Sequence, residues 1–227
     1  MLPVPIFYLI PGLGADGRVF HYLRLQGEVH VLHWLPPHGA REPLPHYAAR
    51  LAAAVPVEQA CWLVGVSFGG VLALALGELR PLARVVLISS LASPRELPWV
   101  ANLARATGLH RLLPMRWLAL GPRVAQWFFS VENDAEYQLL RAIIRDTDLR
   151  LARWAIGQIV HWSGSSGIPV ARIHGTHDRL LPRGAAHSHY QLPGGHFIIV
   201  SRAVEISQLL NYLAAPAAFA PQPAPTG

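Results

Sequence analysis

The pentapeptide Gly65-Val66-Ser67-Phe68-Gly69 joins two segments of opposite periodicity. Ala60-Cys61-Trp62-Leu63-Val64 precedes it, a short continuous apolar run of the kind a buried strand shows. Gly70-Val71-Leu72-Ala73-Leu74-Ala75-Leu76 follows, rich in good helix formers. A strand that turns at once into a helix must reverse direction within about three residues. Glycines on both sides of the serine let the two backbones approach without a Cβ between them. Such a turn lifts the Ser67 hydroxyl clear of the sheet. Few architectures present a serine that way.

The rest of the chain alternates strand and helix signals. Strands are expected at Pro5–Ile10, Val29–Leu35, the run ending at Val66, Arg84–Ile88, Pro169–His174 and, briefly, His189–Leu192. Helices are expected at Tyr47–Val55, from the elbow to Leu79, and at Ala203–Leu213. Repeated βα units imply an α/β fold: a small, mostly parallel sheet of about six strands with helices on both faces. Parallel strands are buried on both sides, which suits their unbroken apolar character. Between the fourth and fifth strands lies a long excursion, residues 94–166, far longer than a crossover requires. It reads as helices over Leu97–Ala106, Leu112–Leu120, Arg123–Phe129, Ala135–Arg145 and Leu149–Trp162, the last capped by Asp148. Five of the seven tryptophans fall in it: Trp99, Trp117, Trp127, Trp154 and Trp162. The expected organisation is a core of residues 1–93 and 167–213, an inserted helical lid of residues 94–166, and a disordered Ala/Pro-rich tail, 214–227. A lid needs an apolar underside, and Trp127 and Trp154 are the candidates for lining a pocket there.

Composition narrows the function. Hydrophobic residues make up 52% and charged residues 14%, enough apolar chain for a sizeable core in one domain. The formal charge is +6, yet all 19 basic residues are arginine and they are scattered rather than clustered, which argues against a nucleic-acid partner. The single cysteine, Cys61, lies within a strand and excludes a disulfide framework. The apolar start, Leu2–Ile10, carries prolines at 3 and 5 and no basic flank, so it reads as a strand and not a signal peptide. No apolar run is long enough to span a bilayer, and a cytoplasmic protein is expected. His161, His174, His187 and His189 have no metal-ligand spacing, so no metal is expected. No feature specifies an oligomeric state.

A serine hydroxyl becomes a useful nucleophile only when a base takes its proton and a third group orients that base. Downstream of Ser67 the fifth strand ends in His174-Gly175-Thr176-His177-Asp178, and Gly194-Gly195-His196-Phe197 follows the last short strand. Serine, acid and histidine thus occur in that order, each at the carboxyl end of a strand, where open α/β sheets place their sites. Asp146 and Asp148 sit in helical sequence, where a cap or a solvated face is the simpler role. With the elbow, the G-x-x-D and the G-G-H-F element together, the chain resembles the α/β-hydrolase superfamily, specifically its small lid-bearing esterase-like members, from Pro5 to about Leu213. The resemblance implies a serine hydrolase acting on a small-molecule carboxylic ester without a cofactor; the same triad could act on a thioester, lactone, amide or C–C bond, and the fold could also serve a ligand receptor without turnover. The resemblance makes Ser67 the nucleophile, His196 the base and Asp178 the orienting acid. It places the oxyanion hole at the backbone N–H groups of Phe68 and Leu13, with Gly12 and Gly14 beside them. Two departures stand out. The family's two antiparallel N-terminal strands are missing, and only 18 positions separate Asp178 from His196, little room for a crossover helix.

The run Gly12-Leu13-Gly14-Ala15-Asp16-Gly17 also spells G-x-G-x-x-G after a strand, the dinucleotide fingerprint. That reading needs a carboxylate at the end of the next strand, which instead runs into Leu35-Pro36-Pro37. The glycines serve better as the approach of an acyl oxygen to the backbone.

Overall fold

The computed structural model describes residues 4–108, 122–165, 167–182, 184 and 187–215. Six strands form one sheet: β1 (Ile6–Ile10), β2 (Glu28–Val31), β3 (Cys61–Val66), β4 (Ala83–Ile88), β5 (Val170–Gly175) and β6 (Tyr190–Leu192), in the order β2-β1-β3-β4-β5-β6. Every neighbouring pair is parallel, including the short β5–β6 edge, which pairs Ile173 with Tyr190 and Gly175 with Leu192. The order doubles back between β1 and β3, so the crossovers place helices on both faces.

Strand alternation divides the core in two. Tyr8, Ile10, Leu63, Val85 and Leu87 point to one face, where α1 (Leu44–Leu51) and α2 (Phe68–Leu79) cover them. Phe7, Leu9, Trp62, Val64, Val86, Ile88 and Ile173 point to the other, under α7 (Ala203–Ala214). Both sets are apolar because neither face of a parallel sheet meets water. Cys61 lies buried among them, and burial pushes its thiol up to about 11, so it is packing and not a nucleophile.

The excursion between β4 and β5 contributes α3 (Trp99–Thr107), α4 (Pro122–Phe129), α5 (Asp134–Asp146) and α6 (Leu149–His161). The expected helix at Leu112–Leu120, with Trp117, lies outside the described residues, as does the tail beyond 215. Asn133 caps α5 through the Glu136 N–H, and Asp148 caps α6 through the N–H groups of Arg150 and Leu151, at 2.7 and 3.4 Å. Leu140 and Ile143 of α5 join the core on one face of the sheet, while Leu151, Trp154 and Ala155 of α6 join the other. The two helices therefore straddle the sheet.

Two element boundaries differ from the sequence reading. The helix expected at Tyr47–Val55 begins three residues earlier, at Leu44, because Pro45 falls in its first turn, where a missing N–H costs nothing. It tightens into a 3-10 turn over Ala52–Ala54. β2 stops at Val31 and does not reach Leu35, because Trp34 and Leu35 turn away to other partners. The Trp34 indole donates to the Ala15 carbonyl, and the Leu35 backbone exchanges hydrogen bonds with the Tyr47 hydroxyl.

An ionic knot ties the loop before α1 to that helix. Glu42 Oε1 accepts from Arg50 Nε at 2.9 Å and lies 2.8 Å from His46 Nδ1. Oε2 accepts from the His38 N–H at 2.6 Å and Arg50 Nη2 at 3.0 Å. His38, Glu42 and His46 bring ligand-type atoms within 4.8 Å of one another, but Arg50 has already neutralised the carboxylate and both its oxygens are committed. Burial alone would raise the Glu42 carboxyl; the bonds from Arg50, the His38 N–H and His46 outweigh it and lower it from 4.5 to about 2. Its stabilising effect is therefore present above the ordinary carboxylate range and is lost as pH falls from 4.5 towards 2. Glu42→Gln should cost about 1–2 kcal/mol at pH 7, since the half-buried Arg50 loses its charged partner but keeps the Pro36 carbonyl. Thermal unfolding of both proteins at neutral and acid pH checks this: the gap between their melting temperatures should shrink as the pH is lowered.

Candidate active site

The turn after β3 is built from absences. A Cβ on Gly65 would lie 2.3 Å from the Gly69 carbonyl oxygen, and one on Gly69 would lie 2.3 Å from that of Ile10 and 2.4 Å from that of Pro11. Both contacts are with backbone, which cannot swing aside. Ser67 at the apex has φ 52 and ψ −122, a conformation non-glycine residues rarely adopt. The surroundings hold it there. Its N–H donates to the Ile88 carbonyl at 2.9 Å, and its carbonyl accepts from the Gly70 N–H at 2.9 Å and the Ser90 hydroxyl at 2.6 Å. The Ser90 hydroxyl fits only because Gly70 is bare; a Cβ there would lie 2.2 Å from Ser90 Oγ.

Three strand ends bring the polar groups together. Ser67 Oγ lies 2.9 Å from His196 Nε2, and His196 Nδ1 lies 2.8 Å from Asp178 Oδ2. Asp178 and His196 are 3% and 5% exposed, so water competes little for these bonds. The other carboxylate oxygen, Oδ1, accepts from the N–H groups of Leu180 and Leu181, each at 2.9 Å. Burial would raise the Asp178 carboxyl. The adjacent His196, the His174 side chain and these donors outweigh burial and hold it well below the usual range. Phe129 packs edge-on to the His196 ring, with centroids 5.8 Å apart.

Ser67 and His196 open onto a cavity of about 410 Å³. Gly12, Leu13 and Phe68 line it beside Ser67. Phe128 and Phe129 of α4, Leu140, Ile143 and Ile144 of α5, and Ile159 of α6 form much of the remaining wall. Among the described residues, the one polar wall group outside the turn and the histidine is Thr147, which donates to the Ile143 carbonyl at 2.8 Å and approaches the Gly14 carbonyl at 3.2 Å. Phe68 opens α2, so its N–H is among those at a helix start that the helix itself leaves unsatisfied.

Three expected pocket residues stand off this wall. Gly14, with φ +72, packs against Thr147 one step behind Leu13. Trp127 is 54% exposed on the outer side of α4, with the Arg179 guanidinium 4.7 Å from its ring centre. Trp154 is buried behind the wall. Its ring meets Tyr47 at 4.3 Å and Phe68 at 5.8 Å, and its indole N–H donates to the Glu42 carbonyl at 2.8 Å. It backs Phe68 without facing the cavity; Phe128 and Phe129 take the place expected of the tryptophans. The rival acids are otherwise engaged: Asp146 pairs with Arg18 and Arg145, and Asp148 is a helix cap. His177 is exposed beside Thr176. After Gly12–Gly17 comes only a four-residue 3-10 turn, Gly17–Phe20, and no α-helix for a pyrophosphate to face.

A strained serine turn between a parallel strand and a helix, with a histidine and a buried carboxylate at neighbouring strand ends, defines the class. Residues 7–209 match the model of the alpha/beta hydrolase family, and the chain belongs to that family. Among solved structures it is similar to a thermophilic esterase from Thermogutta terrifontis, with a TM-score of 0.68, 19% identity, and 91% of this chain and 88% of that one covered. It is similar too to the hydrolase olei00960 from Oleispira antarctica (TM-score 0.68, 14% identity, 92% and 90% covered) and to a putative aryl esterase from Burkholderia cenocepacia (TM-score 0.66, 17% identity, 92% and 89% covered). No protein of curated function matches the sequence. Sequence reasoning passed over two polar side chains at the site. Ser90 and His174 each carry a hydrogen-bonding group into it, but no motif announced them.

Proposed function

We propose that the chain is a serine hydrolase that cleaves carboxylic esters through an acyl-enzyme, with Ser67, His196 and Asp178 as its catalytic triad. The observation that carries this is the pair of short contacts on His196, 2.9 Å to Ser67 Oγ and 2.8 Å to Asp178 Oδ2. Asp178 is ionised and accepts from Nδ1–H, which leaves the Nε2 lone pair facing the serine. Ser67 attacks the carbonyl carbon as Nε2 takes its proton. The backbone N–H groups of Phe68 and Leu13 receive the oxyanion. His196 returns the proton to the leaving alcohol, then activates water to free the acid and regenerate Ser67.

The cavity selects the substrate. Among the described residues no charged side chain faces it apart from His196, and the wall they form is aliphatic and aromatic. A carboxylate or phosphate on the substrate would be desolvated there without a partner, at a cost of several kcal/mol. The reading is therefore an uncharged apolar or aryl ester of modest size. The helices from α4 to α6 act as a lid over the carboxyl edge of the sheet, since they supply the wall opposite Ser67.

A panel of p-nitrophenyl esters and matched thioesters of increasing acyl length tests this. Turnover should rise from acetate to medium chains and fall once the chain outgrows the chamber, with charged acyl groups rejected. Ile144→Phe should move the optimum to shorter chains by filling that wall. Turnover indifferent to chain length, or a preference for anionic esters, would count against the assignment of the cavity.

A further inference from the structure

His174 is the next-to-last residue of β5, four residues before Asp178, and it is 1% exposed. Its Nε2 lies 3.1 Å from the Leu181 carbonyl oxygen and 3.0 Å from Asp178 Oδ2. Both neighbours are acceptors. Nε2 therefore carries a proton, because a bare nitrogen would set its lone pair against two oxygens. The same Oδ2 faces His196 Nδ1 at 2.8 Å. One carboxylate oxygen thus sits between two imidazole N–H groups. One ring reaches Ser67. The other is not among the residues that line the cavity.

The seat of this ring is specific. A Cβ on Gly184 would come 2.4 Å from His174 Cε1 and 2.9 Å from its Nδ1, so the ring occupies the space a side chain would take. Arg172, on the same face of β5, spends its guanidinium on Glu96, at 3.0 and 2.7 Å. Among the described residues, the side chains that bring a polar atom to Asp178 are those of His196 and His174.

We propose that His174 is a positioning residue: its buried Nε2–H pins Asp178 Oδ2 in line with His196 Nδ1, and so keeps the imidazole in the orientation that accepts the Ser67 proton. This rests on the serine-hydrolase reading above. A packing role would be met by any side chain of suitable shape. A positioning role requires an N–H where Nε2 now stands. Glutamine carries its amide nitrogen at that distance from the backbone; leucine fills similar space with no donor.

The test is steady-state hydrolysis of a short p-nitrophenyl ester by the full chain, comparing wild type, His174→Leu, His174→Gln and Ser67→Ala, with thermal unfolding to verify folding. Leucine should lower kcat by about tenfold to a hundredfold, the scale of a hydrogen bond to a charged group, and leave KM within about twofold. Glutamine should recover most of that loss. If the leucine variant does not fold, His174→Asn serves in its place, since its amide is too short to reach Oδ2 and should lose kcat where glutamine keeps it. The proposal is overturned if leucine retains wild-type kcat, or if the folded leucine (or asparagine) and glutamine variants lose it alike. Ser67→Ala separates the two readings. An inactive Ser67→Ala beside a fully active His174→Leu removes only the role of His174, whereas an active Ser67→Ala removes the hydrolase mechanism as well.

Discussion

Ser67→Ala should reduce ester hydrolysis by about a million-fold, to the level of whatever the remaining site does without a nucleophile. Among the described residues no other group is placed to substitute. Cys61 is buried in β3 with its thiol pushed up to about 11, and the other polar wall group, Thr147, already donates to a carbonyl. The fold should survive the change. The Ser67 hydroxyl meets only His196, whereas the turn is held by backbone bonds and by Ser90. Alanine is no better suited than serine to φ 52, so the strain is unchanged. Kinetics with a short p-nitrophenyl ester and circular dichroism on the same sample check both halves. Substantial turnover by a folded variant would place the chemistry elsewhere.

The second large effect is expected at Asp178. Asp178→Asn preserves shape but exchanges one acceptor oxygen for an NH2 donor. Oδ2 faces two ring nitrogens, His196 Nδ1 at 2.8 Å and His174 Nε2 at 3.0 Å. An amide NH2 at that place would meet Nδ1–H head on, so His196 would carry its proton on Nε2 instead. There it faces Ser67 Oγ and cannot accept. The expected loss in kcat is about ten-thousand-fold, the effect a wrong tautomer has in this type of triad. KM should change little, because Asp178 does not line the cavity. A loss of tenfold or less would show that the carboxylate is structural.

Much of this site is legible in the sequence because its members are fixed by local chain chemistry. The Ser67 elbow needs bare glycines at 65 and 69, and the structure shows which carbonyls those glycines clear. Asp178 and His196 fall on the turns that end β5 and follow β6, and a parallel sheet brings its strand ends to one edge. The pocket was harder to read. Trp127 and Trp154 sit on amphipathic helices, and the sequence shows that each has an apolar face without showing what that face meets. For Trp154 it is Tyr47 and Phe68; for Trp127 it is the Arg179 guanidinium. The roles of His174 and Ser90 were illegible for a related reason. Each depends on a glycine distant in sequence, Gly184 or Gly70, leaving room for a ring or a hydroxyl. The end of β2 moved because tertiary partners outweigh local propensity at Trp34 and Leu35, whereas the start of α1 moved because Pro45 suits a first turn.

An activated nucleophile at Ser67 can be trapped covalently. The most direct measurement is to treat the folded protein with a serine-reactive fluorophosphonate and locate the adduct by peptide mass spectrometry. One adduct per chain is expected, on the peptide that carries Ser67, with ester hydrolysis lost in step with labelling and neither seen in His196→Ala. Hydrolysis that persists in fully labelled protein, or an adduct at another residue, would contradict it.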